Sequence, residues 1–150
     1  MLPAKVYFVF TLITFAVSVC HSKTEHLCEL AAFIEDVDGK NPRLIDSGKT
    51  RAETKSCDEE NKEICKNFVE KQVIEGTGGG NFSLISDDKD MYTVGDVLCD
   101  KADAIEENVQ NKYVQIYWRL CSSSWEKTTF KMPQPLCCDD GLHIPCKLGK

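Results

Sequence analysis

The cysteines constrain this chain more than any other feature. There are nine of them in 150 residues, and Cys121, Cys137, Cys138 and Cys146 crowd toward the C-terminal end, with Cys28, Cys57, Cys65 and Cys99 upstream. The ninth, Cys20, closes an apolar stretch. Lys5 supplies a positive charge, Val6 to Val19 is apolar apart from Thr and Ser, and Ser18, Cys20 and Ser22 offer small-residue cleavage sites. This pattern predicts a signal peptide at 1–22 and a single secreted, extracellular domain at 23–150. The apolar run is shorter than the roughly 20 residues a spanning helix needs, so the chain is not expected to be membrane-embedded. Loss of Cys20 leaves an even set of eight. In an oxidising compartment such a set implies four disulfides and no free thiol, with the pairing left open. Each bridge adds about 2–4 kcal/mol by restricting the unfolded chain.

Charge narrows the choice of partner. The formal net charge is -6 and becomes -7 once Lys5 is removed with the leader. No run of basic residues offsets that acidity, which argues against nucleic acid, heparin or anionic lipid as the main partner. A soluble monomer is expected.

Residues 24–37 fit a helical face through Leu27, Leu30, Ala31 and Ile34, and a strand face through Leu27, Ala31 and Phe33; a strand is favoured. Asp38-Gly39 and Asn41-Pro42 mark turns, and the polar stretch 38–55 reads as an exposed loop. A helix is predicted over 56–75, capped by Ser56 with Glu59 at capping-box spacing. Ile64, Cys65, Phe68, Val69, Gln72 and Val73 would form its inward stripe until Gly76 ends it. Cys57 and Cys65 would lie roughly 12 Å apart along such a helix, beyond the roughly 7 Å that a bridge spans. They are expected to pair elsewhere, with Cys65 pinning the helix to the sheet.

Gly78-Gly79-Gly80 reads as a flexible tether, and Asn81-Phe82-Ser83 is a sequon that makes Asn81 a candidate glycosylation site. The run Asp87-Asp88-Lys89-Asp90 lacks the glycine and terminal glutamate of a calcium loop and reads as a solvated turn. From Tyr113 to Cys121 the period is two, with Val114, Ile116, Trp118 and Leu120 on one face, which predicts a strand. Trp125 to Met132 is expected to return as its hairpin partner, stopped by Pro133 and Pro135. Cys137 and Cys138 point to opposite sides of an extended backbone and should reach different partners. Asp140-Gly141 supplies a turn that brings Cys146 back beside them.

No catalytic pattern stands out. Neither Gly-X-Ser-X-Gly nor His-Glu-X-X-His occurs, and the Cys137, Cys138, His143 and Cys146 grouping would need a reducing compartment to hold a metal. No enzyme activity, metal or cofactor is expected. What remains is recognition by surface. The hairpin sets Trp125 beside Lys127 and Tyr117 beside Arg119, each two residues apart, so that aromatic rings and cations share a face suited to a protein target.

Cys121-X3-Trp125, Thr128-Thr129 and Cys137-Cys138-Asp-Asp-Gly141-X4-Cys146 together resemble the C-terminal signature of arthropod secreted proteins related to insect follicle cell protein. Cys57-X7-Cys65, the helix and the lone Cys99 follow the same order. The format of a signal peptide and an acidic eight-cysteine domain is similar to that of the scoloptoxin-11 type of centipede venom protein. The chain departs from the pattern near Cys28, where a second nearby cysteine would be expected. The venom resemblance implies a toxin, with voltage-gated potassium channels as a candidate target. The follicle resemblance implies an eggshell or extracellular-matrix role. A third reading, a cystine-knot-like signalling ligand, draws on strand pairs that end in a paired cysteine, but Cys65 and Cys99 are too widely separated for the usual knot spacing.

The expectation is therefore an α+β, small disulfide-rich domain, with one amphipathic helix packed on an antiparallel sheet. Its expected function is that of a non-enzymatic venom toxin whose partner is the ectodomain of a membrane receptor or ion channel on another cell. Intact mass spectrometry tests the shared premise: alkylation without reduction should leave the mature protein's mass unchanged, and any alkyl adduct would break the four-bridge scheme.

Overall fold

The computed structural model describes residues 27–86 and 91–147, so the predicted signal peptide and the acidic run at 87–90 lie outside the described residues. The fold is α+β, with four disulfides and two helices on an antiparallel sheet. Strand β1 (Cys28–Glu35) is central, in the order β2-β1-β3-β4 with β2 (Arg43–Lys49), β3 (Lys112–Leu120) and β4 (Glu126–Leu136). Helices α1 (Glu59–Gly76) and α2 (Val94–Asp103) cover one face, and a short hairpin of β5 (Cys138–Asp139) and β6 (Leu142–His143) packs against α2.

The inner face carries Cys28, Ala32 and Ile34 from β1 and Val114, Ile116, Trp118 and Leu120 from β3, all buried. The period of two predicted from Tyr113 onward thus holds. The competing helical period at 24–37 loses because β1 pairs on both edges, with β2 and with β3. Local pattern could not choose, and non-local pairing does.

Residues 38–55 are not a loop: β2 lies within them, antiparallel to β1. Only Ile45 of this strand is buried, at a register shift opposite Ala32 and Phe33, so an edge strand open to water reads as polar. The predicted stop at Pro133 and Pro135 also fails, since β4 runs through both. It too is an edge strand, where a residue without an N–H is tolerated. Two register shifts in β4 leave carbonyls that the buried Gln115 side chain satisfies, donating from Nε2 to the oxygens of Thr128 at 3.1 Å and Phe130 at 2.9 Å.

Helix α1 begins later than expected. Asp58, not Ser56, is the cap, accepting from the Asn61 backbone N–H at 2.9 Å, while the Ser56 hydroxyl donates to the Asp58 carboxylate. That hydroxyl bond, then the bonds from Asn61, hold the Asp58 carboxyl down at about 2. The inward stripe is narrower than predicted: Cys65 and Val69 are buried, Phe68 and Val73 half-buried, and Ile64 and Gln72 exposed. Helix α2 was not anticipated, although Thr93-X-X-Asp96 forms a full capping box. Burial alone would raise the Asp96 carboxyl, but hydrogen bonds from Thr93 and His143 outweigh it and leave its pKa lowered.

The glycine run is a packed turn rather than a tether. Gly78, Gly79 and Gly80 all have positive φ, and Gly79 N–H donates to the Ile74 carbonyl at 2.8 Å. Gly80 has φ +88°, and a Cβ there would lie 2.6 Å from Pro133 Cδ and 2.9 Å from Met132 Sδ. Gly80→Ala should therefore cost about 1–3 kcal/mol, from backbone strain and steric overlap together. Urea denaturation measures it; an unchanged midpoint would contradict this packing.

A candidate recognition face

The disulfides decide which surface is free. Cys28–Cys65 ties β1 to the buried face of α1, Cys57–Cys121 ties the approach to α1 to the end of β3, and Cys99–Cys138 ties α2 to β5. Cys137–Cys146 closes the C-terminal segment. Cys57 and Cys65 thus do not pair with each other, although Cys57 lies before α1 and not within it, and Cys137 and Cys138 diverge to separate partners as expected. With both helices fastened to one side of the sheet, no helix among the described residues covers the opposite side, although Ala31, Glu35, Gln115 and Tyr117 there are buried by neighbouring side chains.

On that outer side the sequence places alternate residues Glu29, Ala31, Phe33 and Glu35 of β1 beside Arg119, Tyr117, Gln115 and Tyr113 of β3. Across β4, Tyr117 faces Lys127 and Gln115 faces Lys131. Directly opposed residues share a face, so a row of aromatic rings meets a row of cations. The Arg119 guanidinium stacks 4.2 Å from the Trp125 ring centre, Lys127 Nζ lies 5.7 Å from that of Tyr117, and Lys131 Nζ lies 4.1 Å from that of Tyr113. Phe33 joins the rings together, with centroids 4.3 Å from Tyr117 and 6.2 Å from Trp125. All four residues singled out from the sequence, Trp125, Lys127, Tyr117 and Arg119, meet here, although Trp125 precedes β4 rather than lying in it.

Two carboxylates hold the cations in place. Arg119 Nε donates to Glu29 at 2.6 Å. Glu35, only 1% exposed, accepts from the Tyr117 hydroxyl at 2.6 Å and pairs with Lys127 Nζ at 2.8 Å. A buried carboxylate needs such partners to remain charged. The hydrogen bond to Glu35 raises the Lys127 ammonium above its ordinary value. Burial, then the bond to Glu35, pushes the Tyr117 phenol up. Sequence reasoning missed Phe33, Glu35, Glu29, Tyr113 and Lys131. The alternation along β1 was the available signal for Phe33 and Glu35, and it needed the β1–β3 pairing to be read.

Asn81 is exposed, and its side-chain oxygen accepts from the Ser83 N–H at 3.0 Å, while Phe82 between them is 1% exposed and part of the core. His143 sits edge-on to Phe82 with ring centres 5.1 Å apart, and burial lowers its pKa against the opposing pull of Asp96. Among the described residues no group of three His, Cys, Asp or Glu side chains could hold a metal, and no helix is long and apolar enough to cross a membrane. A scan against protein-family models found no match, nor did searches of the curated proteins and of the solved structures.

Tyr117 and Lys127 both have raised values in the fold, so the stability they contribute is complete below the ordinary values of 10.0 and 10.5 and is lost as pH rises through the folded ones. Stability should accordingly fall above about pH 10, since the unfolded chain gives up those protons first. Glu35→Gln should cost about 1–3 kcal/mol at neutral pH by removing a charged hydrogen-bond acceptor, and should lower the Tyr117 pKa in an alkaline ultraviolet titration. A Tyr117 titration unmoved by the substitution would contradict the pairing.

Proposed function

We propose that this chain is an exported, non-enzymatic venom toxin that binds the extracellular side of a membrane receptor or channel through the outer sheet face. The observation that carries this reading is the row of three stacked aromatic–cation pairs on a sheet face no helix covers. Rings held by neighbours add contact area at little entropic cost. Four disulfides suit a ligand that must last outside the cell. The resemblance to centipede venom proteins supports the toxin class and makes a voltage-gated potassium channel the first target to test.

The manner of binding follows from charge. Glu29 and Glu35 neutralise Arg119 and Lys127, and the chain as a whole carries -6, so no unpaired cation on these residues is offered to plug a cation pore. Docking of the aromatic face beside the pore, with a shift in gating, fits these groups better. Voltage-clamp recordings at micromolar protein should show a displaced activation curve rather than simple block. Trp125→Ala should weaken the effect by roughly thirtyfold, the loss of a contact worth about 2 kcal/mol, with circular dichroism unchanged. Absence of any current change would overturn the channel reading.

A further inference from the structure

On the opposite side of the sheet, α1 and α2 do not close completely over the inner face. Between them lies a cleft with a cavity volume of about 330 Å³, floored by Leu30, Ile116 and Met132 and walled by Val73 of α1 and Leu98 of α2. Its mouth is formed by β2. This volume falls at the lower end of the roughly 300–1,000 Å³ of small-molecule sites, and the lining has the expected apolar character.

Gly48 makes the opening. In β2 it stands opposite Leu30, so a side chain there would point to the inner face and into the cleft. Nothing in the fold requires glycine at this position: its φ lies outside the left-handed region, and a Cβ would meet no atom within 4 Å. Glycine inside a strand is unfavourable by roughly 0.5–1 kcal/mol relative to alanine, and it commonly marks a place where something approaches closely. Here the structure offers empty space in place of a neighbouring atom. Beside it Asp46, opposite Ala32 and thus on the same face, is the one charged side chain lining the cleft. Its carboxylate accepts from the Ser47 N–H at 2.9 Å and has no cationic partner among the described residues.

From these features we infer that the cleft is a binding site for a small lipophilic amine, its apolar body over Leu30 and Leu98 and its ammonium group at the Asp46 carboxylate. The site is separate from the outer face and stands whether or not that face binds a channel. An apolar lining selects a ring or short chain, and a lone carboxylate at the rim selects a cation over a neutral or acidic head.

Calorimetric and amide-NMR titration of the purified, disulfide-bonded protein with tryptamine, its alcohol analogue tryptophol and indole-3-acetate tests this. Tryptamine should bind saturably with Kd below about 1 mM, tryptophol more weakly and indole-3-acetate least, with shifts confined to amides around Leu30, Gly48 and Leu98. Gly48→Leu should abolish binding while leaving the thermal midpoint unchanged or higher. Asp46→Asn should weaken tryptamine about fivefold, the loss of a partly exposed charge pair, and leave tryptophol unaffected. The inference is overturned if the unaltered protein binds none of the three, if Gly48→Leu binds as well as the unaltered chain, or if Asp46→Asn keeps the preference for the amine.

Discussion

The Cys28–Cys65 disulfide joins the first residue of the central strand to the buried face of the long helix, and the rest of the fold is arranged about that junction. With α1 fixed on one side of β1, the inner side of the sheet becomes core, and the alternating residues of β1 and β3 are sorted into two sets. Cys57–Cys121 adds a second tie at the same end of the sheet, joining the residue after β3, next to Cys28, to the approach to α1. Cys99–Cys138 fastens α2 by the same logic. Bridges of this kind chiefly penalise the unfolded chain, which matters for a domain of this size with a narrow buried stripe on its main helix.

The outer set shows what the arrangement leaves available. A buried carboxylate, Glu35, is tolerated at the end of β1 because Tyr117 and Lys127 both reach it. Those contacts in turn fix the buried Tyr117 ring and set the posture of the exposed Lys127 ammonium. Phe33 touches both Tyr117 and Trp125, so the aromatic row is already ordered before any partner arrives. Such preorganisation lowers the entropic cost of association. The two sides of the sheet therefore differ in kind: the outer presents rings and cations, whereas the inner is apolar with one cleft at its margin.

Much of this was legible in the sequence where the determining forces are local. The period of two in β3 and the divergence of Cys137 from Cys138 follow from backbone geometry, whereas Cys57 and Cys65 pair apart although Cys57 precedes α1 and does not lie in it. Helix α2 was also legible in principle, through Thr93 and Asp96, but its short apolar stripe did not stand out. Edge strands were the harder case. Asp46, Gly48 and Lys49 make β2 look like a loop, and Pro133 and Pro135 look like a terminus, because an edge strand needs partners on one side only. The aromatic row was half visible: Trp125, Lys127, Tyr117 and Arg119 lie close in sequence, whereas Phe33 and Glu35 join them only through a pairing more than eighty residues distant. Gly78 to Gly80 misled for a related reason, since composition suggests freedom and only the contact with Met132 and Pro133 removes it.

Both surfaces depend on the bridges that place the helices on one side of the sheet, and the pairing of the cysteines is therefore the point on which the account rests. Proteolysis without reduction, followed by tandem mass spectrometry able to separate Cys137 from Cys138, reads that pairing directly. Peptides linked as Cys28–Cys65, Cys57–Cys121, Cys99–Cys138 and Cys137–Cys146 are expected. A Cys57–Cys65 link, or Cys28 joined to any residue other than Cys65, would contradict the account.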